Sequence, residues 1–248
     1  MLLQDKIAVV SGASRGIGRS IALTLAHHGA SLVISGTKVD LLHDVASEVL
    51  DMGRACIVAA GDVTNEETAE NITAKAINEF GRIDILVNNA GMNMRTSTID
   101  MDIKDWKKVM DVNLNGNLYF CKAVLPHMIK EKYGKIVNVS STTAKSGHKN
   151  AIPAYGASKA GVDYLTKHLA MEMAEHNIYV NGVSPGPVQT DMIKQWSKEY
   201  YQQVLSKIPL KKLGTPENIA DVVLFLSSSM SDFITGETIN INGGTFMS

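Results

Sequence analysis

The 248-residue chain is 45% hydrophobic and 20% charged, a globular composition with enough apolar side chain for a large core, which argues against disorder. Its formal net charge of −1 and pI of about 6.7 supply no basic field to neutralise a nucleic-acid backbone, so no nucleic-acid partner is expected. Cys56 and Cys121 can form neither a disulfide framework nor a clustered zinc site, no apolar run reaches the roughly 18 residues of a membrane span, and no secretory segment fits before the first strand; the expectation is a cytoplasmic protein with no metal and no membrane contact.

Short Val- and Ile-rich runs alternate with stretches of helical period, and strands are predicted at 7–11, 31–35, 55–60, 83–88, 134–140, 179–184 and 237–241. This alternation predicts an α/β fold: one doubly wound, Rossmann-like domain over 1–248, with about seven parallel strands and helices on both faces. Between the first strand and a helix predicted at 16–28 lies Ser11-Gly12-Ala13-Ser14-Arg15-Gly16-Ile17-Gly18. Glycines let backbone approach a pyrophosphate there while the helix N-terminus offers free N–H groups, so Gly12, Ser14, Arg15, Gly16, Ile17 and Gly18 are candidate dinucleotide ligands. The spacing differs from Gly-x-Gly-x-x-Gly. His27 and His28 suit the negative end of that helix better than a metal. The second strand ends in Ser35-Gly36-Thr37-Lys38, without the carboxylate that would repel a 2′-phosphate. Thr37 and Lys38, with Arg15, therefore predict NADP(H) over NAD(H), and Asp40 reads as a solvated residue early in the next helix.

Further along, Tyr155 and Lys159 stand at i and i+4, neighbours on one helical face. A cation about 5 Å away at an effective dielectric near 20 contributes roughly 3 kcal/mol, which would lower a phenol pKa by about two units. After the sixth strand, 185–213 is too long for a simple loop. Met192, Trp196, Tyr200 and Val204 recur there at helical spacing, which predicts a substrate lid at about 187–213 or, alternatively, an ordinary packed helix.

Together with Asn88-Asn89-Ala90-Gly91, Asn113, Ser140-Ser141 and Pro185-Gly186, these motifs make essentially the whole chain resemble the short-chain dehydrogenases/reductases of the shorter type. The resemblance implies that Ser141 hydrogen-bonds the substrate oxygen and Tyr155 transfers the proton. It also implies that Lys159 holds the nicotinamide ribose and lowers the Tyr155 pKa, while Asn113 anchors a proton-relaying water. By the same resemblance Asp62 and Val63 meet the adenine, Asn89, Ala90 and Gly91 the adenosine-side ribose and backbone, and Val188 and Thr190, after Pro185 and Gly186, the nicotinamide amide. Asp62 and Thr190 also have readings as turn or cap residues. Ser141 precedes Tyr155 by 14 residues, one more than is usual in the family, which leaves Ser140 as an alternative. His148, in the loop between them, reads as exposed or as a substrate contact.

Within the family the chain is most similar to the 3-oxoacyl-(acyl carrier protein) reductases, although Met171 stands where they commonly present an arginine to the carrier. Lys130, Lys132 and Lys135 either compensate or form a solvated helix end. Asn93 and Arg95 resemble the pattern of gluconate 5-dehydrogenases, so a sugar-acid or polyol dehydrogenase is the alternative, and a non-catalytic nucleotide-binding scaffold is the alternative of another class. Met92, Met94, Arg95, Met192 and Trp196 are expected on the substrate side, with Ser141 and Tyr155. The run 233–244 resembles a segment used in tetramer contacts, which implies a homotetramer.

Overall fold

In the computed structural model, which describes residues 1–149, 151–190 and 196–247, strand and helix alternate from the start. The elements are β1 (Ile7–Ser11), α1 (Gly16–His27), β2 (Ser31–Gly36), α2 (Val39–Asp51), β3 (Cys56–Ala60), α3 (Glu66–Phe80) and β4 (Ile85–Asn88). After these come α4 (Ile103–Met110), α5 (Gly116–Glu131), β5 (Gly134–Val139), α6 (Pro153–Met173), β6 (Ile178–Pro185), α7 (Lys198–Lys207), α8 (Pro216–Ser227) and β7 (Thr238–Ile241). All strands pair in parallel, in the order β3-β2-β1-β4-β5-β6-β7. The order reverses between β1 and β4, and a sheet of this kind leaves a crevice at the carboxyl ends of those two strands.

The central strands are buried on both faces, which is why they read as nearly continuous apolar runs and not as alternating ones. Ile21 and Leu25 of α1, Leu42 and Val45 of α2, and Ile219 and Val223 of α8 fill one side of the sheet. Ala69 and Ile72 of α3, Phe120 and Val124 of α5, and Leu169 of α6 fill the other. A buried polar file crosses this second layer. Asn88 and Asn138 are register partners on β4 and β5; Asn88 Nδ2 donates to Asn138 Oδ1 at 3.0 Å, and Asn138 Nδ2 donates to Thr166 Oγ1 of α6 at 2.9 Å.

All seven expected strands form, with shifted ends. The fourth opens at Ile85 and not at residue 83, and the preceding Asp84 carboxylate takes the Ile7 amide at 2.9 Å. The first helix stops at His27, with His28 as its cap and Gly29 beyond it at φ 105°. After β6 the expected apolar file is broken. Ser197 Oγ accepts from the Tyr200 amide at 3.2 Å, so α7 starts behind Trp196, which therefore does not share a helix with Tyr200 and Val204. Met192 lies outside the described residues. None of the α7 residues is fully buried. Among the described residues, no helix is long and apolar enough to cross a membrane, and no group of three or more His, Cys, Asp or Glu side chains is arranged to hold a metal ion.

Candidate active site

The crevice at the ends of β1 and β4 is built by close backbone approach. Gly12 turns the chain at φ 65°, the left-handed region where glycine is unstrained. Asn89 Nδ2 donates to the carbonyls of Ser11 and Gly12 at 3.1 and 3.0 Å, and Ser11 Oγ accepts from the amides of Asn89 and Ala90, both at 3.1 Å. A Cβ on Gly18 would collide with the Gly12 carbonyl and the Asn89 amide, so this first turn of α1 is closed to any larger residue. Arg15 caps α1 without a side-chain hydrogen bond, leaving the first N–H groups open to an anion.

Ser14 lies against Gly36 at the end of β2, and Thr190 against Gly16. The loop after β6 thus reaches the glycine turn, as a dinucleotide spanning the two halves of the sheet requires, and the residues present fit such a cofactor. Arg15, Thr37 and Lys38 are exposed at the rim of this crevice, while Ile17 packs against the core. Asp62 makes a turn: its Oδ1 accepts from Thr64 N at 3.0 Å and Thr64 Oγ1 at 2.9 Å, and Val63 beside it is buried. Beyond Pro185, Gly186 donates its amide to the Ile241 carbonyl at 2.9 Å, and Val188 bridges to Gly214.

Tyr155 and Lys159 occupy successive turns of α6, which Pro153 opens. Lys159 is 4% exposed and donates to the Val139 carbonyl at the end of β5, 2.7 Å away. Its Nζ and Asn113 Oδ1 each lie 3.4 Å from the position a Cβ on Gly91 would take, so the three residues converge on one point. Asn113 sits in a single π turn, Asp111–Asn115, joining α4 to α5, the kind of irregularity that re-aims a side chain at a functional site. Its Nδ2 donates to the Met92 carbonyl at 2.9 Å and to Ser158 Oγ at 3.1 Å, and its Oδ1 accepts from Met92 N at 2.8 Å. Both side-chain amide protons are spent, so Asn113 itself can hold a water only as an acceptor, through a carbonyl oxygen.

The adjacent serines face different ways. Ser140 Oγ donates to the Lys159 carbonyl at 3.3 Å, which makes it a strut between β5 and α6. Ser141 Oγ donates to Thr143 Oγ1 at 3.3 Å and accepts from Thr143 N at 3.2 Å, and its hydroxyl acts on the Tyr155 phenol, holding its pKa down.

One electrostatic expectation is opposed by burial. Burial pushes the Tyr155 phenol above its ordinary pKa, opposed only by the Ser141 hydrogen bond, and the ammonium of Lys159 does not lower it. Lys159 is aimed at the Val139 carbonyl and is itself pushed down to about 8 by burial, with Asp163 acting in the opposite direction. Desolvation outweighs the i, i+4 attraction, with Lys159 buried and Tyr155 half-buried. Tyr155 consequently keeps its proton at neutral pH.

On the other side of Tyr155, Met92, Met94, Trp106, Met110 and Ile152 form an apolar wall. Arg95 holds its guanidinium 5.4 Å above the Tyr200 ring, which meets Trp196 edge-on at 5.0 Å. Among the described residues, the buried Trp196 Nε1 has no hydrogen-bond partner. His148 is exposed. Lys135 is not available for docking a carrier, because its ammonium is buried against Asp232 at 2.8 Å and over the Tyr179 ring. Lys130 and Lys132, at the end of α5, are exposed. Sequence reading missed Ser158, which receives the Asn113 amide and donates to the Tyr155 carbonyl at 2.8 Å. A serine in the middle of a helix, where its propensity is poor, was the available signal.

The profile of the family described as enoyl-(acyl carrier protein) reductase matches residues 12–245. The chain is similar to the 3-oxoacyl-(acyl-carrier-protein) reductase FabG of Aquifex aeolicus, 40% identical over 247 residues that cover 98% of both chains. It is 38% identical to the FabG of Vibrio cholerae over 247 residues, covering 100% of each. A solved structure of a candidate short-chain alcohol dehydrogenase from Sinorhizobium meliloti superposes with a TM-score of 0.94 at 36% identity, covering 98% of this chain and 97% of that one. A candidate gluconate dehydrogenase from Agrobacterium tumefaciens does so with a TM-score of 0.94 at 34% identity, covering 98% and 96%.

Proposed function

Because the chain belongs to the short-chain dehydrogenase/reductase family, and so is a nicotinamide-dependent oxidoreductase of CH–OH and C=O groups, we propose that it reduces a 3-oxoacyl thioester with NADP(H). The observation that carries this reading is the convergence of Lys159 Nζ and Asn113 Oδ1 on Gly91, with Tyr155 one helical turn from that buried ammonium. Ser141 receives the substrate oxygen and steadies the charge that gathers on it. Tyr155 gives that oxygen its proton. Lys159, able to exchange a proton near neutral pH, grips the nicotinamide ribose and passes a proton back through a water held at Asn113. Nicotinamide, when bound, supplies the hydride.

Preference for NADP(H) rests on exposed Arg15 and Lys38 and on the missing carboxylate at residues 35–38. Gly12, Ser14, Gly16, Ile17 and Gly18 cradle the pyrophosphate; Thr37 adjoins the 2′-phosphate, Asp62 and Val63 the adenine, and Asn89, Ala90 and Gly91 the adenosine side. Pro185, Gly186, Val188 and Thr190 border the nicotinamide. Met92, Met94, Arg95, Met192 and Trp196 border the substrate, and the whole chain acts as one domain with a lid at about 187–213. A cytoplasmic homotetramer completes the reading.

A sugar-acid substrate is the second reading, favoured by Arg95, a cation at the aromatic edge of the pocket and suited to a carboxylate. Paired assays of NADPH oxidation with an acetoacetyl thioester and with 5-ketogluconate separate the two. Turnover of the thioester alone is expected, a preference for the keto acid reverses the order, and inactivity across a broad ketone panel leaves only a nucleotide-binding scaffold. Tighter binding of NAD(H) than of NADP(H) would overturn the cofactor preference.

A further inference from the structure

Ser141 is the N-cap of a single 3₁₀ turn, Thr142–Ala144, and its Oγ accepts from the Thr143 amide at 3.2 Å. Where that turn sits therefore decides where the hydroxyl points. The turn rests on α6: a Cβ on Gly156, the residue after Tyr155, would lie 3.3 Å from the Thr143 carbonyl. It is tied to the sheet by the next residue, Lys145. The Lys145 ammonium donates to Asn240 Oδ1 at 2.7 Å and to the Thr238 carbonyl at 3.4 Å, both on β7, and lies 5.7 Å from the centre of the Phe246 ring. We propose that Lys145 is a positioning residue for the reaction: by pinning to β7 the turn that Ser141 caps, it fixes the Ser141 hydroxyl for the substrate oxygen.

The pin matters because the rest of this stretch is weakly restrained. A lone 3₁₀ turn has poor hydrogen-bond geometry and does not hold itself in place. Among the described residues, the other hydrogen bonds made by 142–149 are local. The amides of Ala144 and Lys145 donate to the carbonyls of Ser141 and Thr142, both at 3.0 Å, and Ser146 Oγ donates to the Thr142 carbonyl at 3.3 Å. Residues 146–149 are exposed, and the next hydrogen bond to another part of the chain comes at Ile152, whose amide donates to the Met94 carbonyl at 2.8 Å. Lys145 is thus the one side chain that carries a restraint from the turn to the sheet. Its anchor is firm: Thr238 and Asn240 are register partners of Gly182 and Ser184 on β6, and β6 pairs in turn with β5, the strand that leads into Ser141. The reach from the chain leaving β5, past β6, to β7 suits a long unbranched stem, and an ammonium has protons enough for both oxygens.

This inference rests on the role given above to Ser141. The test measures kcat for NADPH-driven reduction of whichever of the two ketones above is turned over, and NADPH affinity by fluorescence titration, in wild type, Lys145→Met, Asn240→Ala, the double variant and Ser141→Ala. Lys145→Met keeps the stem and removes the donors, so kcat should fall about tenfold, the scale of a slightly misplaced reacting group, with NADPH affinity within about twofold of wild type. Asn240→Ala, which leaves the Thr238 carbonyl in place, should cost about threefold, and the double variant should be no slower than Lys145→Met, because both changes break one link. Wild-type kcat in Lys145→Met, an equal loss of NADPH affinity, or losses that multiply in the double variant would each overturn the inference while Ser141→Ala remained impaired. Full activity in Ser141→Ala would instead sink the reading of the site itself.

Discussion

At the scale of single residues, the site combines a phenol that burial keeps protonated with an ammonium that burial makes a weaker base. Tyr155→Phe leaves the ring in the apolar wall of Met92 and Met94 but removes the proton. Turnover is expected to fall by about three orders of magnitude, the scale of lost general acid catalysis, with cofactor affinity intact in a fluorescence titration. Lys159 has its folded pKa lowered from 10.5 to about 8. Below pH 8 both folded and unfolded chains hold the proton, and the native state bears the full cost of a buried cation. Between about 8 and 10.5 the unfolded chain binds more protons, so this group makes stability rise with pH, by about 3 kcal/mol in total. Lys159→Met should therefore be inactive yet more stable than wild type at pH 7, with the difference shrinking as pH climbs toward 10 in denaturant melts. A variant less stable at pH 7 would contradict this ledger of charge burial.

At the scale of elements, three secondary structures must keep register for the site to exist: β4 leads into Gly91, β5 ends beside Ser141, and α6 carries Tyr155 and Lys159. The buried file Asn88–Asn138–Thr166 ties these three together through side chains, where apolar packing alone would tolerate sliding. Asn138→Ala removes both links and leaves the Asn88 amide with only the Cys121 sulfur at 3.3 Å. A loss of about 1–3 kcal/mol is expected by chemical denaturation, the usual cost of stranding buried polar partners. A neutral effect would mean that the sheet holds its register without them.

At the scale of the whole molecule, the described surface is unusually apolar in places: Phe233 is fully exposed, Met171 is 85% exposed and Tyr164 71%. Phe233 opens the run 233–244, the segment whose resemblance implies a tetramer contact. Light scattering is expected to give the mass of four chains. Phe233→Asp should lower the assembled fraction at micromolar concentration, and a monomeric wild type would refute the assembly.

Much of this architecture was legible in one dimension. Strands buried on both faces must be runs of Val, Ile and Leu, helices against them must be apolar every three to four residues, and a turn that admits a pyrophosphate must be small. The seven strands, the glycine turn after β1 and the Tyr155–Lys159 spacing all follow from such local rules. Tertiary structure decided the rest. Whether Lys159 acidifies Tyr155 depends on where its ammonium points and on how much water surrounds both groups, and the ammonium is drawn to the Val139 carbonyl of β5. The π turn that aims Asn113, the amide that Asn113 gives to Ser158, and the pairing of Lys135 with Asp232 likewise arise between residues distant in sequence or from burial. Periodicity reports which face of an element is apolar, but a pKa reports the sum of everything brought around a group by folding.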